Sequence, residues 1–286
     1  MPVRSPAVAG MFYPQSERAC REQVQSCLNV ELKDVEGTIW GGMVPHAGWE
    51  FSGPTAGRVF SALDTQAPPA TVILFGALHR RGVNDASAYG SGEWRTPLGS
   101  LPIDEELAGV LLDEMEGDVV DRPRAHASEH SIEVQLPFIK YLFPEARIVP
   151  IAMPPFSQAH DLGRGIARVA RELERRIVAI GSSDLTHYGP RYGFTPAGTG
   201  SSGPEWMREN DRRLLRLVEE MRASEVVEEA QAHRNACGAG AIAAAMGYAL
   251  ERGADEGVLL HYTTSHEVMP MGQDAVGYGA AVFTAD

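Results

Sequence analysis

Residues 176–189 read RIVAIGSSDLTHYG, an apolar run that ends in a group of polar side chains. The run at 176–181 has the length and the valine and isoleucine content of a strand buried on both faces of a sheet. Equivalent runs occur at 38–44, 71–76, 147–152, 257–262 and 275–283. Helical patterns lie between the runs, at 17–28, 54–63, 104–112, 131–142, 158–173, 205–221, 224–232 and 238–251. This alternation predicts an α/β fold in which helices cover both faces of a mostly parallel or mixed central sheet.

The composition is that of an acidic chain with enough apolar residues for a large core. Of the 286 residues, 44% are hydrophobic, and 25 Lys and Arg against 38 Asp and Glu give a net charge of −13. We therefore expect one domain over 1–286 and no nucleic acid among its partners. No apolar run is long enough for a membrane helix, and the first residues lack a signal-peptide pattern, so we expect a cytoplasmic protein.

Four polar residues come shortly after apolar runs and so at the ends of predicted strands: His46, His79, Asp184 and His187. The carboxyl ends of parallel strands share one edge of a sheet, where α/β proteins form their ligand sites. We therefore expect the four side chains to meet in one site. Asp184 and His187 lie three residues apart, a spacing that would let the carboxylate orient the imidazole for acid–base chemistry.

The stretch ASEHSIEVQL at 127–136 opens a predicted helix. Ser128 or Ser131 would cap this helix, and acidic residues in its first turn are favoured by the helix dipole. Capping does not account for His130, which lies three residues before Glu133. We predict that His130 and Glu133 share a face and support the site by orienting one of its ligands.

Cysteine occurs in two different settings. Cys237 precedes a predicted helix, at a position where the helix dipole favours a thiolate, which would be a nucleophile or a metal ligand. Cys20 and Cys27 are seven residues apart in a helical pattern, and we interpret them as buried core residues. Three widely spaced cysteines form no disulfide framework, which fits a reducing compartment.

Two chemistries fit these residues. A thiol hydrolase would use Cys237 as its nucleophile and His187 or His46 as its base. A metalloprotein would hold one ion with His46, His79 and Cys237, with Asp184 and His187 beside it. Such donors suit Fe(II), and a thiolate also suits Zn or Cu. Serine hydrolysis and nucleotide binding have no support, because the sequence lacks the G-x-S-x-G, P-loop and G-x-G-x-x-G patterns.

The sequence resembles the Memo family, whose bacterial and archaeal members are often called AmmeMemoRadiSam system protein B. The resemblance covers nearly the whole chain and depends on motifs in a fixed order. They are RSPAVAGMFYP at 4–14, PHAG at 45–48 with SG at 52–53, TPLG at 96–99, EHSIE at 129–133, SSDLTHYG at 182–189, CG at 237–238 and AVGY at 275–278.

The resemblance implies a fold similar to that of the class III extradiol dioxygenases, which hold Fe(II) with two histidines and a carboxylate. In the Memo family a cysteine takes the place of the carboxylate. The implied metal ligands are therefore His46, His79 and Cys237. Asp184 and His187 would line the same cleft, with His187 resembling the acid–base histidine of the dioxygenases.

The expected function is Fe(II)-dependent, oxygenase-like chemistry on a small molecule. Residues 76–78 read Gly-Ala-Leu where the family usually has Gly-Pro-Ser/Asn before the second histidine, so the loop around His79 is expected to differ. One alternative is a protein that binds a metal or a peptide in the same cleft without turnover. The other is a metal-free thiol hydrolase.

Overall fold

The computed structural model describes residues 2–78, 85–200, 202–270 and 272–286. Its strands are β1 (Val3–Arg4), β2 (Thr38–Val44), β3 (Thr71–Ala77), β4 (Ala86–Ala88), β5 (Glu93–Thr96), β6 (Gly99–Pro102), β7 (Val119–Asp121), β8 (Arg147–Met153), β9 (Ile177–Ser182), β10 (His187–Tyr188), β11 (Glu256–Thr264) and β12 (Ala275–Ala285). Its α-helices are α1 (Glu17–Leu28), α2 (Trp49–Asp64), α3 (Glu105–Glu114), α4 (Leu136–Leu142), α5 (Ala159–Arg171), α6 (Gly203–Glu219), α7 (Val226–His233), α8 (Ala239–Glu251) and α9 (Ser265–Val268).

The main sheet is mixed, with the strand order β10-β12-β2-β9-β3-β8-β4-β7 and β11 paired to β12. Its centre is parallel, because β2, β9, β3 and β8 pair side by side in the same direction. Strand β12 runs antiparallel to β2, and β4 runs antiparallel to β8. The carboxyl ends of β2, β9 and β3 therefore meet at one edge of the sheet, as the sequence predicted.

Each face of the sheet is covered by helices, which confirms the predicted fold class. Side chains alternate between the faces along a strand. In β3, Val72 and Leu74 belong to the apolar layer formed with α1, α2 and α4, whereas Ile73 and Phe75 belong to the layer formed with α5 and α8. Cys20 and Cys27 are buried in the first of these layers, as predicted.

Helix α8 packs very closely on strand β9. It is built largely from alanine and glycine, and nearly all of it is buried. A Cβ atom on Gly181 would lie only 2.5 Å from the carbonyl oxygen of Ala241, so the contact requires glycine on the strand. This packing fixes the start of α8, and with it Cys237, at the end of β9.

The structure differs from the predicted elements mainly where they are short or polar. The helix predicted at 131–142 is an α-helix only over Leu136–Leu142, after a 3₁₀ turn at Glu133–Gln135. Ser131 instead bonds to two strands, accepting the N–H of Ala77 of β3 at its hydroxyl and the hydroxyl of Ser182 of β9 at its carbonyl oxygen. Strands β1, β5 and β6, which form a separate small sheet, were not predicted, because two to four residues are too few to show a periodic pattern.

Within the described residues, no helix is both long enough and apolar enough to cross a membrane.

Candidate active site

The register of β2 and β9 brings His46 and Asp184 together. Val44 of β2 pairs with Ser182 of β9 in the parallel ladder. His46 lies two positions after Val44, and Asp184 lies two positions after Ser182. The Oδ1 atom of Asp184 accepts hydrogen bonds from the backbone N–H groups of His46, at 2.7 Å, and Ala47, at 3.2 Å. The carboxylate thus fixes the turn that carries His46.

Cys237 reaches the same place from the start of α8. Its backbone N–H donates to the carbonyl oxygen of Asp184 at 3.2 Å, and the N–H of Gly238 donates to Oγ of Ser183 at 2.8 Å. These bonds tie the helix start to the turn after β9. As a result, Sγ of Cys237 lies 3.3 Å from Nε2 of His46, although the residues are 191 positions apart.

The surroundings of Cys237 disfavour ionisation of its thiol. Burial, and after it the carboxylate of Asp184, raise the pKa of the thiol to about 12. The N-cap of α8 is Gly238, so the thiol lies just outside the helix. Cys237 does precede a helix, as predicted, but desolvation and the neighbouring anion outweigh the effect of the helix dipole on its thiol.

Asp184 and His187 lie beside each other, as their spacing predicted. Asp184 is only 5% exposed, and burial raises the pKa of its carboxyl to about 7 against the opposing effect of its two backbone hydrogen bonds. Its Oδ2 atom is 4.0 Å from Nε2 of His187. The His187 ring is half-exposed and lies 5.0 Å from the ring of Tyr192, between centroids. Their catalytic roles stay predictions.

His130 lies at the wall of the site, in contact with the His46 ring. The two ring centroids are 5.5 Å apart with perpendicular planes, and the ring of Phe12 is 5.2 Å away on another side of His130. Burial lowers the pKa of His130, whereas the nearby charge of Glu133 opposes that shift. His130 is therefore close enough to orient His46 by packing.

The carboxylate of Glu133 accepts hydrogen bonds from the N-terminal segment. Its fully buried carboxylate accepts hydrogen bonds from Nη1 of Arg4 at 2.8 Å and from Oη of Tyr13 at 3.0 Å. It also accepts the backbone N–H groups of Ala7, at 2.7 Å, and Val8, at 2.8 Å. This carboxylate anchors the segment that contributes one wall of the site. Its predicted support of a site ligand stays a prediction.

A group of buried polar residues behind His46 was not predicted as part of the site. Oγ of Ser182 lies 3.0 Å from Nδ1 of His46, and Nε2 of Gln135 donates to the carbonyl oxygen of Pro45 at 2.8 Å. The signal in the sequence was the polar pair Ser182-Ser183 directly after a buried strand. Gln135 carried no comparable signal, because its partner is 90 positions away.

The polar side chains open into a cavity of about 710 Å³, a size that suits a small ligand. Its walls combine aromatic and aliphatic side chains with the polar residues described above and with the guanidinium-bearing Arg191. The lining residues are Phe12, His46, Ala47, Gly48, Phe51, His130, Asp184, His187, Arg191, Tyr192, Ser265, Met269, Asp274, Val276 and Tyr278.

His79, the third predicted metal ligand, lies outside the described residues. The chain leads toward it from β3, whose neighbour is β9, and therefore from the same edge of the sheet. Within the described parts of the chain, no group of three or more His, Cys, Asp or Glu side chains is arranged as a metal site. Of the predicted ligand set, the structure thus places His46 and Cys237.

The fold and the site together define an α/β protein with a His, Asp and Cys cleft at the carboxyl edge of a mixed sheet. A family model described as "Memo-like protein" matches residues 4–282, and the chain belongs to this family. It is 37% identical to a MEMO1 family protein of Methanopyrus kandleri over 98% of both chains. It is 38% identical to one of Thermococcus onnurineus over 98% of this chain and 99% of that one.

A solved structure shares the fold at much lower sequence identity. It is an uncharacterized protein from Escherichia coli K12, which is 12% identical and aligns with a TM-score of 0.50 over 85% of this chain and 99% of its own. At this identity the likeness concerns the fold alone.

Proposed function

We propose that the cleft is a mononuclear metal centre held by His46, His79 and Cys237. The observation that supports it best is the distance of 3.3 Å between Nε2 of His46 and Sγ of Cys237. Nitrogen and sulfur ligands of one ion, at about 2.1 Å and about 2.3 Å from it, lie about 3.1–3.6 Å from each other for angles between about 90° and tetrahedral. The two donors therefore fit one ion, and His79, which follows β3 in the sequence, would add the third.

Fe(II) is the metal that we propose, because the resemblance to the class III extradiol dioxygenases implies it. Two imidazoles and one anionic ligand leave positions open for other molecules, while Zn and Cu accept the same donors. A bound Fe(II) would supply Lewis acidity toward a hydroxylated substrate and electrons for the reduction of O₂. A cation at this place would also stabilise the thiolate of Cys237, which burial and Asp184 otherwise disfavour.

The chain's own residues would position the substrate and move its protons. Asp184 holds the turn of His46 through two backbone hydrogen bonds. His187 would accept a substrate proton on its ring, and Asp184, whose Oδ2 lies 4.0 Å from Nε2 of His187, would stabilise the resulting charge. The cavity of about 710 Å³ would hold a small molecule or the side chain of a peptide. We place the protein in the cytoplasm, whose reducing conditions preserve a free thiol.

The metal proposal is tested by metal content. Mass spectrometry of anaerobically purified protein is expected to find near-stoichiometric iron in the wild type and in the control Cys20→Ala. Cys20 is a buried cysteine of α1 and belongs to the apolar layer formed with α1, α2 and α4. His46→Ala and Cys237→Ala are expected to lose the metal while remaining folded by circular dichroism. No metal in the wild type, even after anaerobic loading with Fe(II), would reject the proposal.

Turnover is tested separately on the loaded protein. O₂ consumption in the presence of a panel of catechols is expected for the wild type and not for His187→Ala. Stoichiometric metal without O₂ consumption would favour a metal- or peptide-binding protein. Hydrolytic activity that survives chelation and disappears in Cys237→Ala would favour the thiol hydrolase, for which the 3.3 Å contact would serve as a nucleophile–base pair.

A further inference from the structure

Ser182 lies at the end of β9, between His46 and the backbone of Ser131. All three residues are buried, with His46 only 3% exposed. The hydroxyl oxygen of Ser182 is 2.8 Å from the carbonyl oxygen of Ser131 and 3.0 Å from Nδ1 of His46. The side chain therefore connects the imidazole to a fixed point of the backbone.

The chemistry of these partners sets the direction of both hydrogen bonds. A carbonyl oxygen can only accept, so the single hydroxyl proton of Ser182 is donated to Ser131. The oxygen of Ser182 can then only accept from His46, which requires a proton on Nδ1. In a neutral imidazole the other nitrogen, Nε2, then carries a lone pair. This lone pair faces Cys237, whose Sγ is 3.3 Å away.

Ser131, whose carbonyl oxygen is the acceptor for Ser182, is itself held in place. The hydroxyl of Ser131 donates to the buried carboxylate of Glu129 and accepts the backbone N–H of Ala77 at 2.9 Å. Nε2 of Gln135 donates to the carbonyl oxygens of Pro45, at 2.8 Å, and Ser131, at 3.3 Å. The same network includes Ala77, the last residue of β3, which lies two positions before the third predicted ligand.

We infer that Ser182 is a positioning residue that keeps His46 in its Nδ1–H tautomer and directs Nε2 toward Cys237. Metal binding needs an unprotonated nitrogen, and the hydrogen bond made by the other ring nitrogen decides which one that is. The importance of the tautomer for metal binding rests on the proposed function. The tautomer itself does not, because it follows from hydrogen bonds within the chain.

The first test determines the tautomer in the metal-free protein. Nuclear magnetic resonance of isotope-labelled histidine distinguishes protonated from unprotonated ring nitrogens. It is run in chelator at pH about 8, where an ordinary imidazole is neutral. The His46 signals are assigned by their loss in His46→Gln. We expect Nδ1–H in the wild type and a shift toward Nε2–H in Ser182→Ala. Nε2–H in the wild type would overturn the inference and would mean that Ser182 donates to His46.

Two variants separate positioning from a general effect on folding. Ser182→Thr keeps a hydroxyl at the same place and is expected to restore the Nδ1–H tautomer. Thr71→Val removes a buried hydroxyl at the opposite end of β3, which donates to Asp104 rather than to His46, and is expected to keep it. If Ser182→Ala does not fold, the wild-type spectrum still decides, because the inference requires Nδ1–H there.

Zn²⁺ affinity, measured by competition with a fluorescent chelator, connects the tautomer to the proposed function. Ser182→Ala is expected to bind Zn²⁺ about 10–100-fold more weakly than the wild type, and Ser182→Thr to recover most of the loss. If the wild type binds no metal but has the Nδ1–H tautomer, the proposed function fails and the positioning role stands. If the wild type binds Zn²⁺ but its metal-free form has the Nε2–H tautomer of His46, only the positioning role fails.

Discussion

The carboxylate of Asp184 accepts the backbone N–H of His46 at 2.7 Å, across two neighbouring strands and 138 positions of sequence. The same oxygen accepts the N–H of Ala47 at 3.2 Å. Two backbone donors at the end of β2 thus depend on one side chain at the end of β9. Asp184, which the sequence indicates as a partner of His187, is also a structural support of the turn that carries His46.

Replacing Asp184 is expected to affect stability according to whether an acceptor remains. Asp184→Asn keeps Oδ1, so its free energy of unfolding in urea should stay within about 1 kcal/mol of the wild type. Asp184→Ala leaves buried N–H groups without this acceptor and should lose about 1–3 kcal/mol. Asp161→Ala, at an exposed carboxylate, is the control and should match the wild type. Equal losses for the alanine and asparagine variants would contradict this account.

Removing Glu133 should release the N-terminal segment. Its carboxylate pairs with the buried guanidinium of Arg4, which also lies 4.0 Å from the centre of the Trp94 ring. Because Glu133→Ala leaves that charge buried without its partner, it should lower the free energy of unfolding by about 3–5 kcal/mol. Limited proteolysis should then cut the N-terminal segment faster than in the wild type.

The control for Glu133 is Glu22→Ala, which breaks an exposed ion pair with Arg18 on α1. Exposed pairs of this kind contribute little to stability, so its unfolding curve should overlay that of the wild type. If the Glu133 and Glu22 variants unfold alike and resist proteolysis alike, Glu133 does not anchor the segment.

Adding a methyl group at the contact between β9 and α8 should disturb the helix that positions Cys237. Gly181→Ala places a Cβ against the backbone of Ala241 and should cost about 1–3 kcal/mol of stability. Gly109→Ala is the matched control within α3, because a Cβ there meets nothing within 4 Å. It should stabilise the protein by about 0.5–1 kcal/mol. A stabilising Gly181→Ala would show that the helix packs less closely than described.

Protonation of His126 should destabilise the protein in mild acid. Its Nε2–H donates to the carbonyl oxygen of Ser87 at 2.9 Å, and burial, with a smaller contribution from Arg4, lowers its pKa to about 4. The unfolded chain, with a pKa of about 6.5, takes up the proton first. The unfolding free energy should therefore fall between pH about 6.5 and about 4, on the order of 3 kcal/mol from this residue.

The His126 contribution is isolated by comparison with His126→Gln, measured by chemical denaturation at a series of pH values. The difference in unfolding free energy, wild type minus variant, should decrease as the pH is lowered. Asp211 acts in the opposite direction, because burial raises the pKa of its carboxyl to about 7 and its contribution is lost as pH rises. The pH dependence of one protein alone therefore does not isolate His126, and the difference between wild type and His126→Gln is used instead. Curves of unfolding free energy against pH that run parallel for the two proteins would contradict the prediction.

The longer elements of the fold were predictable because their signal is local. The predicted boundaries of α1 and β2 match the structure, and those of the other parallel strands, β3, β8 and β9, differ by at most one residue at each end. The start of helix α2 was predicted wrongly. It was predicted to begin at Pro54, a residue favoured at helix starts, but it begins at Trp49. The turn before the proline is held by Trp49, whose buried ring packs 4.7 Å from that of Phe138 and donates from Nε1 to the carbonyl oxygen of Val134.

By itself, the sequence determined the alternation of strands and helices and the edge of the sheet at which polar residues accumulate. Apolar runs and the polar residues that follow them can be recognised from consecutive positions in the sequence. They therefore indicate which side chains reach that edge. The tertiary structure alone decided which atoms meet there. The contact of His46 with Cys237, the support of His46 by Asp184 and Ser182, and the attachment of Glu133 to the N-terminal segment join residues more than 100 positions apart. Such contacts depend on strand register and helix packing, which no local pattern encodes.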